Sequence, residues 1–328
     1  IQAAGGSFEG GLVGAGNDLT LNINNTITIA DGSGVNNLTS IGDTVLTGTI
    51  NTTGSQTYES NVTIEGNVTI DAGGEVVFEG DVTGDDEITY TGWATRAGGT
   101  NNDYGYGVSV LADGSSIVTG RFQGNAAFGS TRLSSDGGDD VFVAKLDADG
   151  NYQWATRAGG TGSDAARGNS VLADGSSVFV IGTFNSNATF GSTTLTSAGG
   201  SDVFVAKLDA DGNYQWATRA GGQGDDYAPR ISVLADGSSI VTGTFRSNAT
   251  FGSTTLESAG GEDIFIAKLD PNGNYEWATR AGGNDGDYGY DVSVLADGSS
   301  IATGNYRRTA RYGDIELEGD VSFDVFVA

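Results

Sequence analysis

Carboxylates are the main side chains through which this sequence could hold a metal or move a proton. His, Cys and Met are absent. That removes the usual general base, the thiolate nucleophile and any zinc–thiolate cluster. The 42 Asp and Glu residues outnumber 15 Lys and Arg, for a net charge of −27. One acidic set is periodic: Asp103, Asp164, Asp226 and Asp287 each lie ten residues after a tryptophan. Four carboxylates facing one another around an axis repel unless a cation or an arginine offsets them. Two arrangements follow. Each Asp pairs with the arginine three residues after the same Trp (Arg96, Arg157, Arg219, Arg280), or the four share a Ca²⁺ or Na⁺ through oxygen ligands.

A second acidic pattern looks like a calcium loop and fails in detail. Asp147-x-Asp149-Gly150-Asn151 is followed by Tyr152 and Ala158, where an EF-hand requires Gly and Glu. Such loops read better as tight turns, in which Asp caps and Gly accepts positive φ. With no imidazole, no thiol and no asymmetric carboxylate pair, the sequence is read as that of a non-enzyme, with no catalytic residue and no required cofactor.

The elements that must position these residues are repeated. Trp93, Trp154, Trp216 and Trp277 each open Trp-Ala-Thr-Arg-Ala-Gly-Gly, at intervals of 61, 62 and 61 residues. A period of this length containing four strand-like runs signals small sheets stacked on one another. One copy cannot bury its own apolar face, so the copies need each other. In the first copy the strands are expected at 92–97, 108–111, 117–122 and 141–146, with an excursion around Ala127-Phe128-Gly129. The one extra residue of the second copy falls in Val178-Phe179-Val180-Ile181 and is expected to form a β-bulge. The four Trp are expected to pack between copies. Lys145, Lys207 and Lys268, on one equivalent strand, are expected to reach solvent.

Asp-Val-Phe-Val-Ala-Lys-Leu-Asp-Ala-Asp-Gly-Asn at 140–151 and 202–213, together with Ala-Thr-Phe-Gly-Ser-Thr-Thr-Leu and Ala-Gly-Gly-(x)n-Asp-Tyr-Gly-Tyr, resembles the bacterial SBBP β-propeller repeat family across residues 91–328. The resemblance implies a secreted or surface protein built of propeller blades, and implies no catalytic activity. The family is named for seven blades, and this chain has four copies. The expected fold is therefore all-β: a four-bladed β-propeller closed by pairing 92–97 with 324–328, which would leave no long open edge. The rival is an open array, with 76–90 pairing against the first Trp strand and the strand ending at Ala328 taking a partner from another molecule.

Residues 18–90 lack the Trp repeat and alternate at period two (Leu19, Leu21, Ile23; Val62, Ile64; Val68, Ile70), the pattern of half-buried strands. The stretch Val45–Tyr58 resembles filamentous-haemagglutinin-like β-helical exoproteins, so a β-solenoid or a β-sandwich is expected. Residues 1–17 form a Gly-rich extension whose large apolar residues, Ile1, Phe8, Leu12 and Val13, either fray or add to a neighbouring subunit.

Charge separates the parts. Residues 1–90 hold 13 carboxylates and no basic residue, and Arg307, Arg308 and Arg311 form the one basic cluster, in the last copy. Such a surface repels nucleic acid and anionic lipid, and no apolar run is long enough to cross a bilayer as a helix. The cluster is a candidate subunit contact against a neighbour's acidic first ninety residues. A chain starting at Ile1 without Met is expected to have lost a secretory leader. The reading is an extracellular or cell-surface structural subunit of a filament, sheath or surface layer, self-associating by strand addition and charge complementarity. The alternative is a monomeric adhesion or glycan-binding propeller module of a larger exoprotein.

Overall fold

The computed structural model describes residues 93–328 except Ala296, and within 1–92 the strand segments together with Asn37, Ser55, Glu59, Asn61 and Glu79. The described chain is all-β, without a helix. It divides into two compact units, Ile1–Trp93 and Ala94–Ala328.

In the first unit every described strand pair is parallel. Residues lie opposite others about twenty positions along, as Gln56 opposite Val76 and Val62 opposite Val82. Alternation explains which side chains go in: Leu46, Ile50, Tyr58, Val62 and Ile70 are buried. Gln2–Ala3 and Leu12–Val13 pair within the chain, with Asn22–Ile23 and Gly32–Ser33. Ile1 and Phe8 lie outside the described residues.

The second unit is a series of antiparallel modules, three of four strands and, among the described residues, a last one of three. In the first, Tyr104–Val110 pairs with Ser116–Phe128, which pairs with Thr131–Leu146, which pairs with Tyr152–Gly160. The Asp-Gly hairpins form as the sequence requires: Gly150 and Gly114 sit at φ 79° and 80°, where a Cβ would be strained. The excursion around Phe128 is the continuation of two long strands to a turn at Gly129, not a loop.

The strands of Trp154, Trp216 and Trp277 each serve two modules. Tyr152–Ala158 completes the first, while Gly159 and Gly160 pair with Thr189 and Ala188 in the second. Gly221–Gly222 and Gly282–Gly283 repeat the crossing. The cores straddle the same joints. Val141 and Val143 of the first module are buried against Val178, Val180 and Phe204 of the second, and Val203 and Val205 against Val241 and Phe265 of the third.

Two expectations are corrected here. Val178–Phe184 runs opposite Leu208–Asp202 without a register shift. The extra residue instead lengthens the preceding turn: Leu172 N–H bonds to Ser177 O, where Leu111 bonds to Ser115 O and Leu234 to Ser238 O. A turn absorbs a residue cheaply, whereas a slip inside a buried strand reverses every later side chain. Nor, among the described residues, does 92–97 pair with 324–328. Ala97–Gly99 pairs with Ala126–Phe128, Trp93–Arg96 lies outside any strand, and Ile315–Val327 pairs with Ser300–Tyr312. Among the described residues a sheet curls as a half-barrel.

Candidate functional site

The periodic aspartates bridge backbone. Asp164 accepts N–H bonds from Gly160 at 2.9 Å and Asn185 at 3.0 Å, tying the end of the Trp strand to the second strand of the same module. Asp226 does so with Gly222 and Arg246 at 2.8 and 3.2 Å, and Asp287 with Gly283 and Arg307 at 2.7 and 3.0 Å. Asp103 takes Gly99 at 2.7 Å and Gln123 at 3.3 Å. None of the four is ion-paired to a Trp-Ala-Thr-Arg arginine. Among the described residues no three acidic side chains converge as a metal-binding group.

The arginines take a different acidic set, which the sequence reading did not single out. Arg157 reaches Asp140 at 2.9 Å and Asp136 at 2.6 Å, Arg219 reaches Asp202 at 2.8 Å, and Arg280 reaches Asp263 at 3.5 Å. Asp140, Asp202 and Asp263 begin the third-strand phrase Asp-Val/Ile-Phe, and their side chains are fully buried. Each keeps one oxygen, Oδ1, buried without a hydrogen-bond partner.

That oxygen faces the neighbouring module's bridging carboxylate. A methyl group added at Gly159 would lie 2.6 Å from Asp140 Oδ1 and 2.9 Å from Asp164 Oδ2. At Gly221 the corresponding distances to Asp202 Oδ1 and Asp226 Oδ2 are both 2.6 Å. The glycines are obligatory, with φ of 144° and 138° as well as no space. Each joint thus holds two carboxylates and one guanidinium. Burial, offset in part by backbone N–H bonds, raises Asp140, Asp164 and Asp263 to about 6 and Asp226 to about 7. Burial also raises Asp202 and Asp287. One proton shared across a pair would satisfy the orphaned oxygen and remove the like-charge repulsion.

Tryptophan closes the same joint from outside. Trp154 Nε1 donates to Ala210 O at 3.0 Å and Trp216 Nε1 to Pro271 O at 3.2 Å. Each indole lies flat on a turn glycine of the next module, so a Cβ on Gly212 would meet Trp154 at 2.7 Å.

The other acidic and basic candidates are engaged locally. Asp147 Oδ1 accepts N–H bonds from Asp149 and Asn151 at 3.0 and 2.8 Å, holding the carboxylate well below its usual range. The loop is a capped hairpin turn. Arg307 lies 3.9 Å over the Phe323 ring, Arg308 approaches Asp285 at 3.7 Å, and Arg311 pairs with Glu316. Lys207 lies over Phe179 and Lys268 pairs with Glu276.

The modules differ most on their first strands, which adjoin one another across joints. Equivalent positions carry Tyr106, Arg167, Pro229 and Tyr290, then Gly107, Gly168, Arg230 and Asp291. Here Arg121 stacks on Tyr104 at 4.6 Å, Tyr104 lies parallel to Tyr106, and Arg167 sits between Tyr106 at 4.8 Å and Tyr227 at 5.3 Å.

No protein-family model matches the chain. It is 28% identical over 213 residues to the regulatory protein FlaEY of Caulobacter vibrioides, covering 60% of this chain and 20% of that protein. It is 25% identical over 201 residues to the WD repeat-containing protein L264 of Acanthamoeba polyphaga mimivirus, covering 52% of this chain and 14% of that protein. The chain therefore spans a fifth or less of either relative. A WD-repeat relative and recurring four-stranded modules fit a tandem-repeat, β-propeller-like protein.

Proposed function

We propose that residues 94–328 form an arc of four propeller blades, that the preceding residues form a parallel β-solenoid, and that the chain is an architectural subunit of an assembly outside the cell. The solenoid reading is supported by the parallel pairing at about twenty residues. Location outside the cell is supported by the resemblance of 91–328 to SBBP repeats and by the acidic first ninety residues.

The observation that carries the architectural reading is how the recurring chemistry is spent. Arg157, Arg219 and Arg280, the buried Asp140, Asp202 and Asp263, and the indoles of Trp154 and Trp216 are all placed at joints between modules, and among the described residues the last strand of the fourth module has no fourth strand beside it. Val325 and Val327 are 73% and 70% exposed, although their counterparts Val141 and Val143 are buried. On the first module a groove of about 160 Å³ is lined by Ala97, Val118, Phe128, Phe142 and Tyr152, the counterparts of residues that receive Val141 and Val143. Arg96 donates only to a backbone carbonyl, at 3.3 Å, and Asp324 occupies the position of Asp140. Subunits join when 94–97 of one copy pairs with 324–328 of the next.

Charge reversal tests this. Arg96→Glu or Asp324→Arg is expected to abolish polymers seen by electron microscopy, and the double variant to restore them in part. Polymers indifferent to both changes, or none from the unaltered chain, would refute it.

A further inference from the structure

We propose that the groove across the first strands of modules one, two and three binds a carboxylated saccharide, a uronic-acid unit of a longer glycan. Its walls are Tyr106, Val108, Asn169 and Arg230, its floor the backbone of Gly107 and Gly168, and its volume is about 180 Å³. That is below the range of drug-sized pockets and suits one ring of a chain continuing along the surface. A side chain at either floor position would collide: a Cβ on Gly107 meets Gly168 Cα at 3.2 Å, and one on Gly168 meets Pro229 O at 2.5 Å.

The residues here depart from the repeat, so stacking the modules does not account for them. One guanidinium, Arg230, lines the groove, and a second, Arg167, adjoins it beside Gly168 and over the Tyr106 ring. Arg167 is clamped between two tyrosine rings, its Nε is buried without a partner, and it forms no ion pair among the described residues. Arg230 donates to the carbonyls of Pro229 and Arg167 at 3.0 and 3.5 Å and meets its one carboxylate, Asp291, at 3.8 Å. Stacking pre-orients a guanidinium fork for a planar carboxylate at little entropic cost.

Tyr104, Tyr227 and Tyr290, 39 to 46% exposed, lie along these same adjoining strands. Rings with an apolar face and a polar tip suit the CH faces and hydroxyls of successive sugars. Among the described residues each first strand is hydrogen-bonded to one neighbour only, so an extended acidic peptide is the rival occupant that the polyglutamate arm of the test probes. The chain's net negative charge opposes a polyanion at long range, but at about 0.1 M salt that field decays over about 10 Å, leaving the two arginines to act at contact.

The test is calorimetric titration of the full chain with a galacturonic-acid oligomer, a neutral oligosaccharide of equal length and a polyglutamate peptide. The expected result is binding of the uronate oligomer, at least tenfold weaker for the neutral sugar and for Arg167→Gln or Arg230→Gln. Arg167→Lys keeps the charge without the planar fork and should fall between. Circular dichroism confirms that each variant is folded. No binding of the uronate, equal binding of the neutral sugar, stronger binding of polyglutamate, or folded Gln variants binding as before would each overturn the assignment.

Discussion

Asp140 and Asp164 share a buried joint in which a pH change acts directly on cohesion between modules. Their folded pKa values, about 6, lie above the ordinary 3.8, so between those values the folded state binds more protons than the unfolded chain. The stabilisation is complete below the unfolded value and is lost as pH rises through 6 to 7. The melting temperature should therefore fall from pH 5 to pH 8. Capped turn aspartates such as Asp147, Asp209 and Asp270 are lowered by N–H and side-chain donors. Their contribution has the opposite sign: present above the ordinary carboxylate range, it is lost as pH falls through their folded values. Asp164→Asn with Asp226→Asn removes two of the raised carboxylates and should flatten the slope from pH 5 to 8. Asp164→Ala leaves buried groups unmet and should cost about 1–3 kcal/mol by chemical denaturation. A melting temperature that rises toward pH 8 in the unaltered chain would contradict the raised carboxylates of the joint. The aspartates ten residues after each Trp were legible in the sequence, but their partners were not. Asp140 lies 24 residues before Asp164, and only the crossing of the Trp strand at Gly159 brings them together.

The strands themselves were largely readable, because Asp-Gly turns and apolar alternation are local signals. What escaped was the fate of a single added residue and of the Phe128 excursion. Both depend on register with a partner strand, which no local window contains. The second module's longer turn makes a specific expectation. Deleting Ser176 restores the turn length of its neighbours and should change stability by less than about 1 kcal/mol. Deleting Phe179 puts a slip into a buried strand and should unfold the module, read by loss of the cooperative thermal transition. Comparable effects of the two deletions would mean that the extra residue is not housed in the turn. Gly159→Ala combines a Cβ against two carboxylates with an unfavourable φ and is expected to destabilise by about 1–3 kcal/mol.

Across the whole molecule, the fourfold period told correctly that the copies are stacked modules, while curvature was invisible. Curl comes from small rotations summed over strands, and the pairing of 92–97 with 324–328 depends on that sum. The joint is nonetheless a repeated object with known register: Val143 lies opposite Thr156, and Val205 opposite Thr218. By the same register Val327 of one copy should lie opposite Thr95 of the next. The chain contains no cysteine, so Thr95→Cys with Val327→Cys introduces two thiols whose Cα atoms come within disulfide range, about 4.4–6.8 Å, only where the joint forms. Mild oxidation of this double variant, followed by non-reducing electrophoresis, is predicted to give a ladder of covalent oligomers that reduction collapses to one band. A monomeric product whose disulfide lies within one chain, or no crosslink at all, would contradict head-to-tail joining.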